Sequence, residues 1–263
     1  MRIATCNVNG IRAAARKGMG EWIAATSPDV LLLQEVRAPE DIAESLIGSD
    51  YQVFTRACDI KGRAGVTVAV RHGIDVGEVR DGVAVHTVDE PPVDTGRWLE
   101  VDLPELTVVS AYLHSGDAKN EEKMAAKYAH LELVSKRLEE FASSNVLVAG
   151  DFNIVHTPLD ITNWKSNHNR TSGVLDSEIA YVDRWLSLGY VDVQRSLTGE
   201  EQGPYTWWSQ RGKAFDNNVG WRIDYQMASE AVASKARSFK IDRAAAYDAR
   251  WSDHAPLIVD YED

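Results

Sequence analysis

Val146-Leu147-Val148-Ala149-Gly150-Asp151-Phe152-Asn153 is a short apolar run that stops abruptly in a carboxylate and an amide. Residues 145–149 read as a strand, because a brief aliphatic run bounded by turn residues is too short for a buried helix. The same design recurs along the chain. Val30-Leu31-Leu32-Leu33 runs into Gln34-Glu35, and Ile3-Ala4-Thr5-Cys6 into Asn7-Val8-Asn9-Gly10. Ile223–Ala228 holds Asp224 near its start, and Pro256–Tyr261 follows Ser252-Asp253-His254. Val66–Val70 and Leu106–Ala111 are further runs, the second leading to Tyr112. Helical patterns lie between some of them. Met124, Tyr128, Leu131, Val134, Leu138 and Phe141 recur at spacings of three and four, with charges on the other face. They predict an amphipathic helix of about twenty residues. Ile179, Val182 and Leu186 share one face of a second. Strands interleaved with helices mean α/β, and the scarcity of crossover helices makes many strand neighbours antiparallel. The expected architecture is two packed sheets with helices outside, in one domain over residues 1–263.

Composition bounds the chemistry. The chain has 28 Lys and Arg against 40 Asp and Glu, a net charge of −12. That excludes a protein that coats nucleic acid by charge alone, but not one that binds it on a single patch. The acid is unevenly spread: Asp75, Glu78, Asp81, Asp89, Glu90, Asp94, Glu100, Asp102 and Glu105 face only Arg80 and Arg97 in their window. With 44% hydrophobic residues the chain has ample core material, so disorder is excluded. No apolar run reaches the ~20 residues that span a bilayer, and Met1-Arg2-Ile3-Ala4-Thr5-Cys6-Asn7 is not a signal peptide. Cys6 and Cys58 alone exclude a disulfide framework and a thiolate zinc site. The expectation is a cytoplasmic protein without a membrane partner.

Singly, each strand-end acid is a helix cap or turn residue, and Gly-Asp-x-Asn is an Asx-turn. Four acids, two amide pairs and a histidine at strand ends carry a stronger message, because strand ends on one edge of a sheet converge in space. Asn7 and Asn9, two apart, are expected on one side of the first strand. Carboxylate and amide oxygens suit a hard cation such as Mg²⁺ rather than zinc. An Asp–His pair orients and charges an imidazole. With no nucleophilic Ser or Cys in an elbow and no phosphate-binding glycine loop, the set points to water attack on a phosphoester.

Asn7-Val8-Asn9-Gly10-Ile11-Arg12, Leu33-Gln34-Glu35, Tyr112, Gly150-Asp151-Phe152-Asn153, Gly220-Trp221-Arg222-Ile223-Asp224-Tyr225 and Ser252-Asp253-His254-Ala255-Pro256 occur in this order. They resemble, from Met1 to Tyr261, the exonuclease III family of apurinic/apyrimidinic (AP) endonucleases, within the endonuclease/exonuclease/phosphatase superfamily. Gln-Glu, Gly-Asp-x-Asn and Ser-Asp-His are shared across that superfamily. The first and fifth stretches are specific to its DNA-repair branch. The resemblance implies a four-layer α/β sandwich, two packed mixed β-sheets flanked by helices. It implies Mg²⁺, with Mn²⁺ as an alternative, on Glu35, with Asn9 and Asp253 close by. Asp151 would deprotonate the attacking water, Asn153 would hold nucleophile or phosphate, and His254, oriented by Asp224, would contact the scissile phosphate. Asn7 and Tyr112 would complete the phosphate shell, and Asn167 would touch phosphate. Trp207, Trp221 and Ile223 look like the pocket for a flipped-out abasic sugar. Arg12, Lys17, Arg63 and Arg211 fall at or near DNA-contacting positions.

The implied activity is incision of duplex DNA 5′ to abasic sites by a monomer. 3′-Phosphodiesterase, 3′-phosphatase and 3′→5′ exonuclease action on blocked 3′ ends accompanies it. Cys6 stands where the family has Trp, and Leu113-His114-Ser115-Gly116 replaces the usual Pro-Asn or Pro-Gln after the tyrosine. Two other readings are a phosphatase of the same superfamily on a small or lipid phosphoester, and a catalytically silent DNA-binding module. The acidic window 75–105 holds no family motif and is expected away from the DNA face.

Overall fold

The computed structural model of the protein describes residues 1–83 and 90–262. The first strands are β1 (Arg2–Asn7), β2 (Val30–Gln34), β3 (Tyr51–Arg56), β4 (Val66–Arg71) and β5 (Val79–Asp81). Next come β6 (Trp98–Leu103), β7 (Leu106–Tyr112), β8 (Val146–Asp151), β9 (Tyr190–Asp192) and β10 (Trp207–Trp208). The last are β11 (Gly220–Trp221), β12 (Asp224–Ser229), β13 (Ala236–Ile241) and β14 (Leu257–Tyr261). Two six-stranded sheets result, ordered β13-β14-β1-β2-β4-β3 and β5-β6-β7-β8-β12-β9, with β10 and β11 forming a separate ribbon. β1 with β2 and β7 with β8 are parallel, and the other named pairs are antiparallel. Both sheets are therefore mixed, as expected.

The unbroken apolar runs follow from burial on both faces. Alternate residues of one strand join different cores. Leu32 packs between the sheets with Val68, Val101, Val108 and Leu147. Leu31 and Leu33 point the other way, against Ile11, Met19, Ile23 and Ala43 of the helices Ile11–Arg16, Met19–Thr26 and Glu40–Ile47. In the second sheet Val109, Val146 and Val148 meet Leu131, Val134, Leu138, Val182 and Trp185. Those residues come from the helices Glu121–Glu140 and Asp176–Ser187. Helix, sheet, sheet and helix form the four layers. Cys6 is fully buried in the helix-facing layer, where it acts as a small apolar residue.

The long helix differs from its expected pattern in one respect. Met124, Leu131, Val134 and Leu138 are buried as predicted, but so are Lys127, His130 and Ser135. In the second helix Glu178 and Trp185 are buried beside Val182. Charge at these positions does not mark the solvent face, because Lys127 and Glu178 neutralise each other inside.

Candidate active site

Sheet register assembles the site from residues far apart in sequence. Asp151 lies opposite Tyr112 on one side and opposite Asp224 on the other. In the first sheet Asn7 pairs with Gln34, so Glu35 emerges beside it. Gly150 is required here: a Cβ on it would stand 1.9 Å from the carbonyl oxygen of Ala111. Asn9, Glu35 and Asn153 have φ of +47°, +48° and +52°. Such left-handed residues cost about 1–3 kcal/mol each and persist where the surroundings over-determine them. Asn9 therefore does not share a strand face with Asn7. It has left the strand, and its N–H donates to Asn7 Oδ1 at 2.9 Å. The Asx-turn reading of Gly-Asp-x-Asn holds as well, since Asn153 N–H donates to Asp151 Oδ1 at 3.0 Å.

The side chains form a continuous network. Asn7, fully buried, donates its amide to Glu35 Oε1 at 3.0 Å and to Asp151 Oδ2 at 2.9 Å. Tyr112 donates to Glu35 Oε1 at 2.9 Å, and the Arg37 guanidinium contacts Glu35 Oε2. Asp253 accepts from Asn9 Nδ2 at 3.0 Å and from Trp207 Nε1 at 3.2 Å. His254 Nδ1 is 2.8 Å from Asp224 Oδ2, while Nε2 is 3.8 Å from Asp151 Oδ2. Thr206 Oγ1 accepts from Asp224 N–H at 3.1 Å and holds that strand end in place.

These groups open onto a cavity of about 560 Å³. Glu35, Tyr112, Asp151, Asn153, Asp253 and His254 lie on its wall. Trp207, Trp221 and Ile223 line it too, the two indoles edge to face with centroids 5.6 Å apart. Lys119, Lys123 and Arg170 also border it, cations that sequence reading did not single out. Lys119 and Lys123 flank the start of a helix, where a lysine reads as surface charge; only the packing of residues 170–172 against that turn brings Arg170 to the same wall.

Other expected positions fall elsewhere. Asn7 sits behind the wall, its amide engaged by two carboxylates. Asn167 is not on the cavity; its amide donates to Asn163 O at 2.8 Å and its Oδ1 accepts from Thr171 at 2.9 Å. Lys17 borders a neighbouring cavity of about 260 Å³ with Asn9 and Asp253. Arg12, Arg63 and Arg211 are exposed and off both cavities. Among the described residues of the acidic window, none lines the large cavity, although Asp94 reaches His114 at 2.5 Å just behind it. Asp89 lies outside the described residues.

Residues 4–254 match the model of the endonuclease/exonuclease/phosphatase family. The chain belongs to that family. Relatives include an exodeoxyribonuclease of Bacillus subtilis, 30% identical over 98% of both chains. Exodeoxyribonuclease III of Haemophilus influenzae is 30% identical over the whole of both chains. An AP endonuclease structure from Archaeoglobus fulgidus superposes with a TM-score of 0.85 at 26% identity, covering all of both chains. Membership makes the protein a hydrolase of phosphoester bonds, of the exodeoxyribonuclease and AP endonuclease type.

Burial and neighbouring charges shift the protonation of Asp151, His254 and Tyr112 in this site. Burial raises Asp151, as do Asp224 and Glu35; His254 and the Asn7 amide oppose the rise, and the group settles at about 7. Burial disfavours the His254 imidazolium, but Asp224, Asp151 and Asp253 outweigh it and lift the group to about 10. Burial, with Glu35 and Asp151, keeps the Tyr112 hydroxyl protonated. These shifts keep the His254 imidazole charged and place the proton exchange of Asp151 near neutrality.

Two donor sets could take a metal. Ligand atoms of Asp151, Asp224 and His254 lie within 4.8 Å of one another. There, however, His254 Nδ1 and Asp224 Oδ2 already bond each other. Glu35, Asp253 and Asn9 offer oxygens only, which fits a hard divalent cation, while here the Arg37 guanidinium contacts Glu35 Oε2 and Asn9 Nδ2 donates to Asp253 Oδ1. Among the described residues no helix is long and apolar enough to cross a membrane.

Proposed function

We propose that the protein is a Mg²⁺-dependent DNA-repair phosphodiesterase that incises duplex DNA 5′ to abasic sites. On blocked 3′ ends the same site acts as 3′-phosphodiesterase, 3′-phosphatase and 3′→5′ exonuclease. One observation carries the reading: an indole-walled cavity opens directly onto Asp151 and His254. A sugar lacking its base would lie in the cavity against the paired indoles of Trp207 and Trp221, and flipping is least costly where no base is stacked. The names borne by the relatives agree with it.

Glu35, with Asp253 and Asn9, would hold the cation, Mg²⁺ or Mn²⁺. When bound, it supplies a Lewis acid for the phosphoryl oxygen. Asp151 takes a proton from water as the water oxygen bonds to phosphorus. Asn153 keeps the nucleophile and phosphate in line. The bond from phosphorus to the 3′ oxygen breaks, and that oxygen takes a proton from solvent water and leaves as a hydroxyl. His254 donates to the phosphoryl oxygen as negative charge grows, with Asp224 fixing its ring. Tyr112 completes the phosphate contacts. Asn7 works from behind, fixing Glu35 against Asp151. Arg12, Lys17, Arg63 and Arg211 would meet the duplex beyond the cavity, with Lys119, Lys123 and Arg170 at its mouth.

The test is a labelled duplex with a single abasic analogue, incubated with and without Mg²⁺. Magnesium-dependent incision 5′ to the lesion is expected. Hydrolysis of inositol or lipid phosphates without incision would mark a phosphatase instead. Binding without turnover would mark a DNA-binding module.

A further inference from the structure

Lys127 and Glu178 form an ion pair at 2.6 Å with neither side chain exposed to solvent. Burying two charges is costly, and such pairs stabilise folds poorly compared with apolar packing of the same volume. Their other contacts show what the pair does. Lys127 Nζ also donates to Ser115 O at 3.2 Å and to Asn153 O at 3.1 Å, so its three protons are all engaged. Glu178 accepts from Gly173 N–H at 2.5 Å, from Leu175 N–H at 3.1 Å and from Ser172 Oγ at 2.9 Å. Ser172 Oγ is also 2.6 Å from Ser115 O.

Three separate segments of the cavity wall therefore meet on one pair: Ser115-Gly116, Asn153 and Ser172-Gly173. Ser115, Gly116, Asn153 and Ser172 all line the cavity. The glycines mark how closely they meet. Gly116 has φ +69°, and a Cβ there would stand 2.6 Å from Ser172 Oγ and 3.0 Å from Lys127 Cδ. Gly173 has φ +89°, and a Cβ there would stand 2.8 Å from Asn153 O and 3.4 Å from the Trp221 ring. The pair holds the backbone of Asn153, whose φ of +52° needs outside support.

We infer that Lys127 and Glu178 are a positioning pair, which sets Asn153 and the two wall loops in their reactive places without touching substrate. This rests on the phosphodiesterase reading above. A pair serving stability alone would have no reason to take its hydrogen bonds from three walls of one cavity.

The experiment uses the full chain, Mg²⁺ and the abasic-analogue duplex. Lys127→Met/Glu178→Gln removes both charges together and leaves no buried charge unpaired, so the protein should stay folded. Its kcat should fall about 10- to 100-fold, the scale of a roughly 1 Å misplacement. Its Kd for the same duplex in EDTA should stay at the wild-type value. Wild-type kcat in the folded double variant would overturn the inference. Ser172→Ala keeps the ion pair and removes only the hydroxyl between Ser115 and Glu178. It should lower kcat in the same sense with Kd unchanged, and wild-type kcat there would equally count against positioning if the double variant does not fold. A wild-type protein inactive on this duplex would remove the phosphodiesterase reading and the inference together. An active wild type with an equally active double variant removes the inference alone.

Discussion

Asp224 Oδ2 lies 2.8 Å from His254 Nδ1, on the side of the ring away from Asp151. The carboxylate fixes which ring nitrogen faces the cavity and keeps the imidazole protonated. Asp224→Asn should lower kcat by about 100- to 1,000-fold, the usual loss for one preorganised donor. Because His254 is raised from 6.5 to about 10, its contribution to stability is full below pH 6.5 and is lost as pH rises toward 10. Melting curves of the wild type should show that loss, and those of the variant a smaller one, since Asp151 and Asp253 remain. An NMR titration of His254 with the same midpoint in both proteins would contradict the assigned role.

Glu35→Gln should abolish the thermal shift produced by Mg²⁺. Binding to the folded state alone adds about 2.7 kcal/mol at a hundredfold excess over Kd, and EDTA should reverse it. An equal shift in the variant would move the cation away from Glu35.

Trp207 both walls the cavity and donates to Asp253. Trp207→Ala should weaken binding of the abasic duplex by about 1.5–3 kcal/mol, the scale of one buried apolar side chain removed from the cavity wall. An intact duplex, which does not place a sugar there, should lose less. Equal losses in competition binding would separate the cavity from lesion recognition.

Alanine at Arg12, Lys17, Arg63 and Arg211 should reduce the salt dependence of duplex binding. Each residue that meets a phosphate contributes about 0.9 to the slope of log K against log salt. Arg184, which pairs with Glu132 and Glu139, supplies the control: Arg184→Ala should leave the slope unchanged.

Arg222 of the Gly-Trp-Arg-Ile-Asp-Tyr stretch is fully buried, bonded to Asp160 and Asp192. Burial would raise Asp160, but Arg222, Arg195 and the Thr157 N–H outweigh it and bring the group down to about 2. The stability it gives is present above pH 3.8 and is lost as pH falls through 2. Asp160→Asn should therefore cost about 2 kcal/mol at pH 7, with the gap closing in acid. A gap unchanged between pH 7 and pH 2 would show that charge is not what the variant loses.

β1, β2, β4, β7, β8, β12 and β14 were legible because their aliphatic runs are too short for buried helices and too apolar for loops. β3, β6 and β13 were not, because Gln52, Glu100, Asp102, Arg237 and Lys240 break up their apolar pattern. Most of the cavity wall was legible for the same reason: Glu35, Tyr112, Asp151 and Asp253 all stand where an apolar run begins or ends. Asn167 was not, because its place depends on a local turn closed by Asn163 and Thr171. Lys127 and Glu178 were invisible, since a lysine on a helix reads as surface until its partner, 51 residues on, is seen to be buried with it. Arg222 belongs to a DNA-repair motif in sequence and proves to be a structural cation.

The sequence by itself determined which residues end strands, the α/β class and the family. It determined the acid, amide and imidazole groups available for chemistry, because those follow from local pattern and motif. Only the tertiary structure decided how these groups pair. Tyr112, Asp151 and Asp224 face one another through strand register. Glu35 and Asp151 come from different sheets and are bridged by Asn7, which donates to both. Sequence spacing measures distance along the chain, whereas the protonation of Asp151 and His254 depends on burial and on charges brought within a few ångströms by sheet pairing and packing.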